Sequence, residues 1–528
     1  MGQRRPLGVQ DALWLAMDRA NNLMVVDSVI WTAEPLETDR LVEVIDDRMV
    51  QRYPVFRSRA VQDGAGHWHW QEDAGFDLDA HLTYVTLDDP DDPRALQALV
   101  AAHRTDLLDR DRPLWNALIV QRYLRGSAMV LRTHHAIADG VRMVELAMSL
   151  FDATPDGGPV PAPTVKLHAT QRTPQQRSSP ADVARAAVGV ARRASVGAVG
   201  AATGAVTDAG LYASALTGTA SAALRESVRL ARTAPTNPLG AASGLVAETT
   251  ALAERLAHAV RSSLDAALPA SGPLVNVLSA TPSDLDVARK LLLGTRNHPT
   301  IWTGHAGTQK GVAWADPLPL ADVKAVAKAN GATINDVLVA CLAGSLHAYL
   351  SAHHAVGGSV SFMVPVNLKP LDQSLPDELG NGFALVQLEL PVDEPDPVAV
   401  LRTVKRRMSR IKHGHEAAVG FVVQETVSGL SRTIYEAAVD LLANRSVGVL
   451  TNVPGPPRTV YLAGSRVEGI VGWAPLSGDQ AMSVTIYSYD GTVVVGIACD
   501  RGLVPGHEAI VDGFAEVFRD LEQRSQRR

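Results

Sequence analysis

Between Val165 and Pro299 the chain almost stops carrying aromatic residues and becomes rich in Ala, Gly, Ser and Thr. This interruption constrains the fold more than any other feature, because the stretches on either side alternate strand-like and helix-like patterns and it does not. Before it, DSVIWTAE and SAMVLRT read as strands, and DPRALQALVAAHRTDLL and VRMVELAMSLF have helical spacing. After it, GVAWADPLP, SVSFMVPVNL, GFALVQLELP, MSVTIYSYDG and TVVVGIACD read as strands, with helices at LADVKAVAKANG and INDVLVACLAGSLHAYLSAH. The expectation is an α/β protein of two lobes, residues 1–164 and 300–528, joined by a long Ala-rich helical insert over 165–299. A chain of 528 residues exceeds what one hydrophobic core usually serves, which favours the same division.

Charge is distributed unevenly. The whole chain carries −7, which gives no reason to expect nucleic acid, yet Val165 to Asp265 holds 11 Lys and Arg against 6 Asp and Glu. Within this basic stretch Leu252, Leu256, Val260, Leu264 and Leu268 fall four apart, the spacing of an apolar helical stripe that would pack on the lobes or lie at a lipid interface. Ala194 to Leu224 contains a single charge, Asp208, and its small residues leave helix and disorder equally open. Two distant cysteines, Cys341 and Cys499, suggest neither a disulfide framework nor a zinc site, and fit a reducing cytoplasm. Asp11 and Asp18 break the N-terminal apolar pattern, so a signal peptide is not expected, and no uncharged run of about eighteen apolar residues suggests a membrane span.

The chemistry concentrates in LRTHHAIADGVRMV. His134 and His135 sit between a strand pattern and a helix pattern, with Asp139 and Gly140 four and five residues after the second histidine. An imidazole takes a proton near neutral pH, as an alcohol or thiol attacking a carbonyl requires. A carboxylate can orient the ring or brace the loop, and a glycine admits close approach of a substrate. The sequence supplies a control in SAHHAVGGS, where His353 and His354 are also adjacent but Gly358 stands where the carboxylate would be. GxSxG, GxxxxGK[ST] and HExxH are all missing from the sequence, which removes the central part of a serine hydrolase, a P-loop NTPase and a zincin. Successive histidines point apart on an extended chain, so His134 and His135 are a poor metal pair and no metal is expected. Cys341 lies in an apolar helical run that reads as core.

HHAIADG resembles the HHxxxDG signature of the CoA-dependent acyltransferase superfamily, which includes condensation domains and chloramphenicol acetyltransferase. RDRPLW, INDVLVA and TNVPGP narrow the likeness. They resemble, in order and rough spacing, the PLW, ND and NVPGP motifs of the bacterial wax ester synthase/diacylglycerol acyltransferase family, as VQDALWL, NNLMVV, RYPVFRSR and FDLDAHL resemble its weaker blocks. The resemblance spans residues 6 to 160 and 310 to 515. It implies a pseudo-dimer of two chloramphenicol-acetyltransferase-like lobes with a tunnel between them, and transfer of a long-chain acyl group from acyl-CoA, as co-substrate with no bound cofactor, to diacylglycerol or a fatty alcohol. The alternatives are the same chemistry on a sugar or polyketide hydroxyl, and a non-catalytic lipid-droplet or membrane-binding relative.

Carried onto this sequence, His135 is the general base, His134 supports it, and Gly140 leaves space for the pantetheine arm. Asp139 braces the loop or caps the following helix. Asn335 is either an oxyanion donor or a helix N-cap, and Asp336 helps the second lobe fold. Pro113, Leu114 and Trp115 line the acyl tunnel or belong to the core. Asn452, Val453, Pro454, Gly455 and Pro456 form a rigid turn at the lobe interface or cofactor channel. Substrates this apolar imply a cytoplasmic protein held peripherally at the inner face of the membrane or on lipid inclusions, docked through the basic middle segment.

Overall fold

The computed structural model describes residues 4–160 except Ala65, 300–367, 383–413 and 443–527. The expected insert, with its basic stretch and apolar stripe, lies outside the described residues.

Two sheets organise the rest. The first has eight strands in the spatial order 82–85, 115–123, 126–134, 25–32, 465–473, 461–462, 152–154 and 157–159. Its middle strand, Gly126–His134, is buried at every position, as expected of a strand covered on both faces. Burying Arg132 there requires a counter-charge. Asp27, directly opposite on the strand Val25–Thr32, takes its Nε at 3.2 Å and also pairs with Arg104.

The second sheet has seven strands. Its main path runs 310–314, 492–500, 482–489, 448–454, 360–367 and 383–390, with 318–319 pairing beside 492–500. Helices Leu320–Ala329, Ile334–Ala352, Pro397–His413 and Glu508–Gln526 cover it, and their apolar faces join one core cluster. Ile334–Ala352 is long and apolar enough to cross a membrane, but it is mostly buried at the centre of that cluster. Its composition is that of a core helix.

The two α/β halves read from the sequence are therefore present, but space does not divide them where the sequence does. The strand Ser465–Trp473 belongs to the second half of the chain and pairs antiparallel with Val25–Thr32 in the first sheet. The halves also share a hydrophobic cluster in which Val29, Leu96 and Val120 meet Val312, Val471 and Ala498. Trp314 stacks between Trp31 and Trp473, with centroids at 5.8 and 6.0 Å. At this junction Asp27, Arg104, Lys310 and Cys499 line a narrow crevice, where Lys310 meets Asp500 at 3.0 Å. A strand exchanged between halves and a shared apolar cluster hold the lobes to one another without relying on the insert.

Candidate active site

The strand Gly126–His134 ends at the histidine pair. Its neighbour Trp115–Tyr123 begins at the PLW stretch, and the register sets Trp115 opposite Thr133. The His134 N–H donates to the Leu114 carbonyl at 3.0 Å, so PLW and the histidines are adjacent strand ends. Pro113, Leu114 and Trp115 are all buried. The Trp115 indole N–H donates to the Phe56 carbonyl at 2.7 Å, and its ring stacks on His81 at 4.6 Å. A satisfied, fully packed indole is a core residue that fixes the strand end.

His134 is completely buried. Its Nδ1 accepts the Ala136 N–H at 3.0 Å, which leaves the proton on Nε2. That nitrogen faces the Asp18 carboxylate at 3.7 Å. Asp18 accepts the Met24 N–H at 2.8 Å and pairs with Arg110 at 2.8 Å. Burial pushes the His134 ring below its ordinary value, outweighing the raising effect of Asp18, and Arg110 adds to the fall. Burial pushes the Asp18 carboxyl up, but His134, the Met24 N–H and Arg110 together hold it below the ordinary range. The result is a neutral imidazole facing a carboxylate.

His135 has different partners. Its backbone N–H donates to the Met24 carbonyl at 2.7 Å, and its ring lies against Trp14 with centroids 4.1 Å apart and planes tilted by 32°. Trp14 lies within the helix Val9–Met17 and Asp18 directly follows that helix, four residues on, so this one segment contacts both histidines. Asp139 caps the helix Gly140–Ser149, its Oδ1 accepting the Arg142 N–H at 3.0 Å. This is the capping alternative read from the sequence. Gly140 is the first helical residue, and a Cβ built there would meet nothing within 4 Å. Farther along this helix, burial with the Asp139 charge nearby pushes the Glu145 carboxyl up to about 7.

The second half brings two more motifs together. The Asn452 amide donates to Asn335 Oδ1 at 2.6 Å, joining the ND and NVPGP stretches through a side-chain hydrogen bond. This fixes the Asn335 amide with its oxygen toward Asn452 and leaves its N–H donors for another partner. Asn335 is not the helix cap. Thr333 is, in a capping box where its hydroxyl accepts the Asp336 N–H and Asp336 Oδ2 accepts the Thr333 N–H at 2.8 Å. Asn452–Pro454 ends the strand Gly448–Pro454. Gly455 follows with its N–H on the Ser488 carbonyl at 2.8 Å, where a Cβ would strike the Tyr487 ring, and Pro456 is buried. Val453 packs on the cluster that contains Leu114, Trp115, Ala136, Ile137 and Ala138. The PLW, HHxxxDG and NVPGP stretches thus converge on one apolar cluster.

With that convergence in view, two family profiles match the chain: the wax ester synthase/diacylglycerol acyltransferase catalytic domain over residues 7–266 and the WS/DGAT C-terminal domain over residues 379–522. The chain belongs to the WS/DGAT family. Two provisionally named diacylglycerol O-acyltransferases of Mycobacterium tuberculosis are similar along most of its length. Rv1760 is 26% identical over 488 residues, 90% of this chain and 81% of that protein, and Rv2484c is 29% identical over 459 residues, 85% and 78%. Among solved structures, the wax ester synthase/diacylglycerol acyltransferase from Marinobacter aquaeolei VT8 superimposes with a TM-score of 0.62 at 18% identity, covering 99% of this chain and 100% of that one. The first condensation domain of the calcium-dependent antibiotic synthetase gives 0.51 at 15% identity, covering 99% and 96%. The fold is the two-lobed arrangement these proteins share, and this WS/DGAT chain is an acyltransferase.

Four residues that shape the histidine turn are given no part in the site by the sequence reading: Trp14, Asp18, Met24 and Arg110. The control pair behaves differently in this WS/DGAT protein, since His353 ends a helix with Nδ1 on the Tyr349 carbonyl at 2.8 Å, and both histidines are exposed. Cys341 and Cys499 are free and buried, and burial pushes both thiols up, which suits packing and not nucleophilic attack. Among the described residues no group of His, Cys, Asp and Glu could hold a metal.

Proposed function

We propose that this enzyme moves a long-chain fatty acyl group from acyl-CoA to the hydroxyl of diacylglycerol or a fatty alcohol, releasing CoA and forming triacylglycerol or wax ester. His135 removes the proton from the acceptor hydroxyl as its oxygen attacks the thioester carbonyl. The C–O bond forms, the carbonyl pair moves onto oxygen, and the oxyanion collapses with cleavage of the C–S bond. The thiolate leaves as CoA and takes the proton back from the imidazolium. The thioester is already activated, so no acyl-enzyme is needed.

One observation carries this reading. His135 is held by its backbone on Met24 and by its ring on Trp14, at a turn followed by a glycine beside which the protein leaves open space. Neither a positive φ nor a crowded neighbour demands glycine at position 140. In this reading the open space beside Gly140 receives the pantetheine arm. His134 positions the turn; with Nδ1 taken by the Ala136 N–H and protonated Nε2 buried against Asp18 it offers no free lone pair, which leaves His135 as the base. Asn335, oriented by Asn452, supplies an N–H donor for the oxyanion.

Thiol release from palmitoyl-CoA by the purified chain, with diacylglycerol, hexadecanol or no acceptor, tests the reading. Release should require an acceptor and fall at least about 10²-fold in His135→Ala, the usual scale of general base catalysis. Release indifferent to acceptor, or undiminished in the variant, would reject it.

A further inference from the structure

The helix Pro397–His413, PVAVLRTVKRRMSRIKH, carries six Lys and Arg and no Asp or Glu in a chain whose net charge is −7. Its two faces are sharply different. Val398, Val400, Leu401, Val404 and Met408 are buried in the core cluster of the second half, while Arg402, Lys405, Arg406, Ser409 and Arg410 are exposed. Arg402, Arg406 and Arg410 repeat every four residues, so like charges stack on one face, an arrangement that destabilises a helix by itself. Arg407 lies beside Glu389 at 3.8 Å, but Arg402, Lys405 and Arg406 form no salt bridge among the described residues. Among the described residues Arg406 donates to the Thr403 hydroxyl, at 3.4 Å.

The cationic end of this helix is placed near the candidate site. Lys405 Nζ lies beside Gly331, just before the Thr333 cap that starts the Asn335 helix, whereas His347 near the far end of that helix meets the Val392 carbonyl at 2.8 Å. The two helices are therefore antiparallel, and the exposed cations lie toward the end of the lobe that carries Asn335 and Asn452. We propose that this face docks the enzyme on an anionic lipid surface and presents the Asn335 end to it.

The apolar side is committed to the core, so the attachment is electrostatic and the helix does not insert. The choice of a lipid surface over another polyanion rests on the lipid acceptor proposed above. It also rests on the helix itself, which offers no aromatic side chain for bases to stack on. The helix Pro397–His413 lies outside the basic middle segment of the sequence.

Flotation of the full chain with vesicles of phosphatidylcholine, alone or mixed with phosphatidylglycerol, tests this. Wild type should float only with the anionic vesicles and be released by high salt. The triple variant Arg402→Glu, Lys405→Glu, Arg406→Glu should bind them at least about tenfold more weakly, given the usual contribution of each basic residue near such a surface. Its thiol release with a short water-soluble alcohol should match wild type. If the glutamates prevent folding, the triple glutamine variant takes their place. Equal flotation of wild type and variant, no flotation of wild type, or tighter binding to poly(U) than to vesicles would overturn the inference. Loss of acceptor-dependent thiol release in both proteins with flotation intact would instead remove the acyl-transfer reading and leave the docking face standing.

Discussion

Lowering the pH from 6.5 to 5.5 should cost this protein stability through three buried histidines. His81, His134 and His507 are each at most 4% exposed, and burial pushes all three below their ordinary value. A histidine whose folded value is depressed binds its proton more readily in the unfolded chain, so its contribution is complete above about 6.5 and declines as the pH falls toward the folded value. If each ring stays neutral in the native state over this window, the unfolded chain gains about 1 kcal/mol per histidine, or about 3 kcal/mol in total. Glu145 acts in the opposite direction. Its folded value of about 7 lies above the ordinary 4.5, so it takes up a proton only in the native state over the same window and returns about 1 kcal/mol. The net expectation is a loss of up to about 2 kcal/mol, reached where all three rings stay neutral in the fold. Asp18 does not interfere, because its folded value is below the ordinary 3.8 and it remains ionised throughout. Urea unfolding followed by tryptophan fluorescence at the two pH values measures the difference as a fall in midpoint at constant slope. His81→Gln should reduce the histidine part of the fall by about a third, while keeping a donor for the Trp115 carbonyl that His81 Nδ1 meets at 2.7 Å. A midpoint that is flat or rises on acidification would refute the argument that these rings are neutral in the fold.

Two substitutions separate positioning from packing. Asp18→Asn removes the carboxylate from Arg110 and from His134 Nε2 while keeping an acceptor for the Met24 N–H; we expect a loss of about 1.5–3 kcal/mol in stability. The same change should lower kcat for acceptor-dependent thiol release about tenfold or more with KM for acyl-CoA little changed, because the perturbed groups hold the turn and need not touch the co-substrate. Gly140→Ala should leave the unfolding midpoint unchanged or raise it, since alanine is favoured over glycine in a helix by up to about 1 kcal/mol. It should nevertheless raise KM for palmitoyl-CoA, and an unchanged KM would mean that the open space beside residue 140 is not used by the pantetheine arm.

Much of the fold was readable because burial leaves a period in the sequence. TVVVGIACD is a strand over the same nine residues, Thr492–Asp500, and INDVLVACLAGSLHAYLSAH is a helix from Ile334 to Ala352. The cap of that helix was also legible, since Thr333 and Asp336 form a T-x-x-D capping box, yet the asparagine next to the aspartate drew the capping reading to itself. The position of the strand Ser465–Trp473 was not legible. It is absent from the strands read in the sequence, and no local pattern says that its partner is Val25–Thr32, more than four hundred residues away in the chain.

The histidine turn shows the same limit at the scale of single side chains. HHxxxDG marks the proposed centre, because its two histidines, aspartate and glycine lie within seven residues. Asp18 and Trp14 contact these histidines from a helix more than a hundred residues earlier, and in sequence they are an aspartate after an apolar helix and one aromatic within it. Only the register that sets Val25 opposite His134 brings the Asp18–Met24 loop against the turn. There the carboxylate fixes Met24 by its N–H, and the Met24 carbonyl fixes His135 by its own. The sequence motif contains the histidine proposed as the base, but the strand pairing decides how that histidine is held. A chain could retain every letter of HHAIADG and still lose the geometry through a change at Asp18.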